Sequence, residues 1–239
     1  HGKRNILVKT GSELPRLLTD YQQDDGQEIS QLVFSPNGTK LLFVRGNGAN
    51  RNGQHANPAS LAEGVEQAIY YKELSSKSPP SKITNGSSPV IFKDGIRFLF
   101  SKGGQIYESP MDINAVPKLL FSARGSNGNP KFSPDANEVL FTSDRGDHSF
   151  IGIYNLNRRA IRWIAPDVSL DEFPVWSPDG KQVAFIRKPG TKVDELSDIT
   201  GGIKFSIWVA DAETGKAVSI WKSTVGDGGF SQYYPNTPL

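Results

Sequence analysis

The chain has 239 residues, 27 Lys and Arg against 25 Asp and Glu, and a formal net charge of +2. Scattered, nearly cancelling charge gives no electrostatic footprint for nucleic acid or an anionic membrane, and zero cysteines exclude disulfide frameworks and thiolate metal sites. No apolar run approaches the 18 residues of a spanning helix, whereas 24 Gly, 16 Pro and 10% aromatics suit a turn-rich all-β chain.

In chain order, Asn5–Lys9 and Pro15–Leu18 read as two short strands around Thr10-Gly11-Ser12. Next comes LVFSPNGTKLLFV (Leu32–Val44), a strand, a tight turn and a second strand. The unit returns as VIFKDGIRFLF (Val90–Phe100), a worn copy, then as PKFSPDANEVLFT (Pro130–Thr142) and PVWSPDGKQVAFIR (Pro174–Arg187). Proline presets the backbone for the turn and glycine tolerates the positive φ that closes it. Both faces of the Val183–Ile186 strand are apolar, so each such hairpin is expected to be covered on both sides. A second hairpin, opening on an Ile-aromatic pair (Ile69-Tyr70, Ile106-Tyr107, Ile153-Tyr154, Ile207-Trp208), follows each first one.

The turn position is held by Gly38, Gly95, Ala136 and Gly180, at intervals of 57, 41 and 44 residues. A four-stranded repeat of about 40–45 residues is the period of a β-propeller blade, which a β-sandwich has no reason to keep. The expected architecture is all-β: a β-propeller segment of four-stranded antiparallel blades. Residues 1–24 make an outer half-blade, 25–86, 87–122, 123–166 and 167–223 make blades, and 224–239 begin the next. The start at His1 rather than Met and the lack of a closing turn motif in 225–239 suggest an incomplete propeller, with open blade edges available for self-association.

Two insertions, 45–67 and 188–204, fall between the second and third strands of their blades, on the end that also carries the blade connectors. Long loops in compact domains are commonly functional. Candidate binding residues are therefore Arg51, His55, Glu63 and Glu66 in the first insertion, where 60–67 reads as a short helix, and Asp171 and Glu172, which read as an inter-blade connector. Trp163, Trp208 and Trp221 fall in repeat columns and are expected to pack between blades. The sequence contains no Gly-x-Ser-x-Gly elbow, HExxH, Walker loop or calcium loop, so no catalytic residue, metal ligand or cofactor is assigned. Asn37-Gly38-Thr39 and Asn85-Gly86-Ser87 spell glycosylation sequons, but Asn37 stands where the repeat turn elsewhere has Asp.

Aromatic-Ser-Pro-Asp-Gly followed by Lys-x-Val/Leu-x-Phe resembles the repeat of TolB-type propellers and of propeller domains in the prolyl oligopeptidase family. The strings DYQQDDGQEISQLVFSPNG with HANPASLAEGVEQAIY, and DEFPVWSPDGKQVAFIRKPG with FSIWVADAETGK, are similar to the bacterial dipeptidyl-aminopeptidase or acylaminoacyl-peptidase branch. That resemblance implies a propeller that covers a C-terminal α/β-hydrolase domain of the same polypeptide and restricts access to short peptides, in an exported, periplasmic or secreted protein. None of the family's triad motifs has a counterpart here. Its paired-glutamate helix has none either, since Glu63 and Glu66 are not adjacent. The alternative is a TolB-like periplasmic protein-binding scaffold without peptidase activity.

Overall fold

A computed structural model describes residues 3–50, 54–62, 64–190 and 205–223. The chain divides into two compact units, His1–Leu120 and Phe121–Leu239, each described by itself. Among the described residues there is no helix; everything regular is β.

In the first unit, β1 (Leu7–Val8) and β2 (Arg16–Leu17) form a two-stranded antiparallel hairpin. Two four-stranded antiparallel sheets follow in meander order. The first holds β3 (Ile29–Phe34), β4 (Lys40–Arg45), β5 (Ala68–Glu73) and β6 (Ser81–Asn85); the second holds β7 (Ser87–Ile91), β8 (Arg97–Lys102), β9 (Gln105–Pro110) and β10 (Lys118–Leu119). The second unit repeats this with β11 (Ser126–Phe132), β12 (Glu138–Asp144), β13 (Ser149–Asn155) and β14 (Ala160–Ile164), then β15 (Leu170–Trp176), β16 (Gln182–Lys188), β17 (Ser206–Asp211) and β18 (Ala217–Lys222). Its two sheets are stitched by one parallel pairing, Ser149 with Leu170. These are β-propeller blades, and the chain is an incomplete β-propeller.

Each blade's second strand is buried on both faces. In β4, Leu42 and Val44 pack with Phe98 and Phe100 of the next blade, while Leu41 and Phe43 pack with Ile6 and Leu18 of the N-terminal hairpin. In the second unit, Val183 and Phe185 of β16 join Leu140, Ile151, Ile153 and Ile164 of the preceding blade. Trp208 packs against that cluster. Trp163 lies 5.7 Å, ring to ring, from Phe141 of its own sheet, and Trp221, on the outer strand β18, is 38% exposed. Core packing thus explains the first of these tryptophans between blades, the second within one, and the third not at all.

The turn chemistry behaves as a small machine of side-chain caps. Ser177 Oγ donates to Asp179 Oδ1 (2.6 Å) and accepts from Gln182 N (2.9 Å), while Lys181 N donates to Asp179 (3.0 Å). Ser133 and Asp135 repeat the pattern, as do Ser35 and Asn37. Asn37 is thereby occupied as a turn residue. In the worn copy Phe92 replaces the serine; Arg97 compensates, with Nε on Asp94 Oδ2 at 2.9 Å and its guanidinium 4.3 Å from the Phe92 ring centroid. The fourth residue of the turn has φ of 67°, 67° and 71° at Gly38, Gly95 and Gly180, and Ala136 is forced to 62°. The left-handed region costs an L-residue about 1–2 kcal/mol. Ala136→Gly is expected to raise stability by about 1 kcal/mol, and Gly180→Ala to lower it by about as much, in paired urea denaturations.

These carboxylates also set the acid limb of stability. The Ser133 hydroxyl and the Asn137 amides hold the Asp135 carboxyl down at about 2. A depressed carboxylate stabilises the fold above its unfolded value and loses that contribution as pH falls through the folded one. The melting temperature is therefore expected to fall between about pH 4 and pH 2. Asp135→Asn, which copies the side chain Asn37 already uses, should flatten part of that fall; an unchanged profile would remove Asp135 from the account.

A second device recurs in every first strand. Gln31, Ser88, Asn129 and Phe173 have φ between 53° and 55°, each at a register shift against the neighbouring strand. These are β-bulges, which bend a strand and re-aim its side chains. In three of them the next residue is a buried proline (Pro89, Pro130, Pro174), which has no N–H to give a ladder.

The first insertion departs from expectation: among the described residues of 60–67 there is no helix. Asn57 captures the local backbone instead, its Oδ1 accepting from Leu61 N (3.0 Å) and its Nδ2 donating to Leu61 O (2.9 Å). Gly64, at φ +73°, closes the turn onto Leu61. A side chain that satisfies the backbone locally competes with the helix ladder, and here it wins.

Candidate functional site

The first insertion leaves β4 through Gly46 and re-enters β5 after Glu66 and Gln67. A Cβ on Gly46 would lie 2.1 Å from the Glu66 carbonyl oxygen, and its φ is +103°, so only glycine allows the two limbs to close. A Cβ on Gly26 would lie 2.1 Å from Pro58 Cγ, so the segment before β3 is pressed onto the same loop. Gln27 Nε2 reaches Ala56 O at 3.5 Å, Ala49 and His55 form an isolated bridge, and His55 Nδ1 sits 2.7 Å from Asn47 O. The loop is therefore a built structure on one end of the blade.

Among the described residues of this insertion, Arg45 and Glu66 are both paired. Lys82 on β6 bonds to Glu66, and that hydrogen bond, with help from Asn85, holds the Glu66 carboxyl below its ordinary value against the burial that would raise it. Arg45 Nη2 meets Asp25 Oδ2 at 2.5 Å, and its guanidinium stacks 4.3 Å from the ring centroid of Tyr21. Burial works to raise the Asp25 carboxyl, but the Gln27 N–H and Arg45 outweigh it and hold it low. Burial pushes the Tyr21 hydroxyl up to about 12. Tyr21 Oη and Gln27 Oε1 are buried without hydrogen-bond partners.

The second unit carries the counterpart. Arg187, at the end of β16, binds Asp171 through Nε (2.7 Å) and Nη2 (2.8 Å), reaches Asp167 Oδ2 at 3.3 Å, and donates to Ala165 O at 2.6 Å. Its guanidinium lies 4.6 Å from the Trp208 ring centroid. Asp171 is wholly buried, and desolvation raises its carboxyl above the ordinary range despite Arg187. The Arg45–Asp25 and Arg187–Asp167 pairs each span 20 residues, and each arginine stands opposite the start of its blade's first strand. Two of the four blades thus use an arginine to tie the incoming connector to the blade.

The sequence-derived candidates distribute as follows. Arg51 and Glu63 lie outside the described residues, as does most of 188–204. His55 and Glu66 share the first insertion. Asp171 and Glu172 are not in a connector: both belong to β15, because the bulge at Phe173 lets the strand begin earlier than its apolar pattern signals. Asp171 is committed to Arg187, and Glu172 Oε2 to Lys188 Nζ at 2.5 Å. Sequence reasoning missed Arg45, Arg187, Asp25 and Asp167; the shared Asp-to-Arg spacing was the available signal. Among the described residues no group of three His, Asp or Glu side chains is placed to hold a metal ion. Among the described residues, Arg45, Glu66, Asp171, Glu172 and Arg187 are each engaged in an ion pair within their own unit.

No family model matches the chain. No curated protein matches it either. Solved structures do. TolB from Acinetobacter baumannii superposes with a TM-score of 0.55 at 20% identity over 89% of this chain and 47% of that one. A puromycin-hydrolyzing peptidase of Mycobacterium tuberculosis gives 0.54 at 14% identity over 92% and 45%. The β-propeller domain of the Trilobed protease from Pyrococcus furiosus, described as having an open velcro topology, gives 0.53 at 14% over 82% and 57%. The chain spans about half the length of these structures. At such identities the likeness establishes the fold, a β-propeller of the kind shared by TolB-like proteins and peptidase propeller domains.

Proposed function

We propose that this chain is the noncatalytic propeller portion of an exported bacterial serine peptidase, periplasmic or secreted. It caps a C-terminal α/β-hydrolase domain of the same polypeptide and gates the access of short peptides. The observation that carries this reading is the first insertion, held at both limbs by Gly46 against Glu66 and by Glu66 on Lys82. A loop anchored in this way presents a defined surface to a neighbouring domain. Arg51, His55, Glu63 and Glu66 are its contact residues. The likeness to two peptidase structures supports the reading.

The test is hydrolysis of dipeptidyl- and acylaminoacyl-nitroanilides by this chain and by the longer natural polypeptide. Only the longer protein is expected to cleave, with sensitivity to a serine-reactive phosphonate. Within it, Gly46→Ala should displace the insertion and change kcat/KM for longer peptides several-fold while sparing the shortest substrates. If the longer protein folds and cleaves neither substrate, the second reading takes its place: a TolB-like protein-binding scaffold. That reading is favoured by the likeness to TolB from Acinetobacter baumannii, at 20% identity over 89% of this chain.

A further inference from the structure

The first unit contains a half-open cavity of about 550 Å³ between the N-terminal hairpin and the β5–β6 turn. Its lining includes the cations Lys72, Arg16 and Lys77 and the apolar surfaces of Leu18, Tyr21 and Pro80. We propose that this cavity binds a carboxylate borne on a small apolar group.

Lys72 is the centre of the argument. It is only 4% exposed, and its Nζ donates to two carbonyls of the turn, Ser76 O (2.6 Å) and Ser78 O (2.5 Å). Among the described residues, no ion pair includes Lys72, Arg16 or Lys77. Arg16 instead donates Nη2 to Leu74 O at 2.7 Å. The acid of the lining, Asp20, accepts from Gln22 Nε2 at 2.5 Å and lies on the exposed rim. Among the described residues, the other two buried cations, Arg187 and Lys188, each have a carboxylate.

An ammonium taken out of water without a counter-ion is costly, and carbonyl dipoles return only part of that cost. Burial, with the Arg16 charge, accordingly pulls the Lys72 pKa down. Three cations in one concave, partly apolar lining bias its potential to the positive side. An incoming carboxylate supplies the missing charge and restores Lys72, while Leu18, Tyr21 and Pro80 accept an adjoining aliphatic side chain.

The experiment is an NMR titration of the whole chain, reading the amides of 74–78. N-acetyl-L-leucine is expected to give saturable shifts at millimolar concentration, with N-acetyl-L-leucinamide at least tenfold weaker. Lys72→Met should abolish the shifts. If that variant fails to fold, Arg16→Gln with Lys77→Gln, at the cavity's edge, should weaken binding about tenfold with the melting temperature unchanged. A blocked peptide with one internal glutamate distinguishes the source: competition assigns a side-chain carboxylate, and its failure assigns a free acid or chain terminus. Equal binding of acid and amide, or inorganic phosphate binding as tightly as the acid, overturns the proposal.

Discussion

Arg187→Met is expected to cost about 3–5 kcal/mol of stability, because it leaves a wholly buried carboxylate without its cation. The double variant Asp171→Leu with Arg187→Met should recover most of that loss, since replacing a buried pair by apolar groups of similar volume is often neutral. The pH dependence supplies the sign. Desolvation already raises the Asp171 carboxyl, so a native state that holds the proton more tightly than the unfolded chain gains stability as pH falls. Loss of Arg187 strengthens that tendency. The penalty of Arg187→Met is therefore largest near neutrality and shrinks toward pH 4. Denaturant unfolding followed by tryptophan fluorescence reads the second unit directly, since all four tryptophans fall in it. A loss below about 1 kcal/mol at pH 7 would mean that solvent reaches the Asp171 carboxylate once Arg187 is gone.

Phe141→Ala should cost a similar amount, about 3–5 kcal/mol, through lost burial and the cavity left behind. Phe141 is fully buried, with ring centroids of Phe121 at 4.8 Å and Trp163 at 5.7 Å. It also lies over Gly152, where an added Cβ would be 2.4 Å from Phe141 Cζ. Gly152→Ala alone should cost about 1–3 kcal/mol by overpacking. Combined with Phe141→Leu it should cost less than the two single losses together, because the added methyl enters space the smaller side chain vacates. Strict additivity in the cycle would deny that the two residues share one packing site.

Much of the fold was legible because its signals are local. The Ser-Pro-Asp-Gly turn caps its own backbone within six residues, so each copy announces a hairpin wherever it stands. Apolar residues on both faces of Leu41–Val44 and Val183–Ile186 foretold strands covered on both sides. Even Ala136 was readable as a glycine position occupied at some cost. The bulges left a fainter trace: Pro89, Pro130 and Pro174 precede their turn position by the same interval, but proline in a strand ordinarily argues against one. That misled the placement of Asp171 and Glu172, which the bulge at Phe173 returns to β15.

The site depends on contacts between residues far apart in sequence. The closing of Gly46 on Glu66, the seating of Pro58 on Gly26 and the capture of Leu61 by Asn57 choose a loop path where pattern alone suggested a helix. The isolation of Lys72 from any carboxylate arises only when the N-terminal hairpin and the β5–β6 turn enclose one cavity. Blade period, turn type and burial are written in short-range pattern, since side-chain period and turn geometry act over a few residues. Which charges find partners, and which buried cation is left to find one elsewhere, is decided by burial and distance across the folded chain.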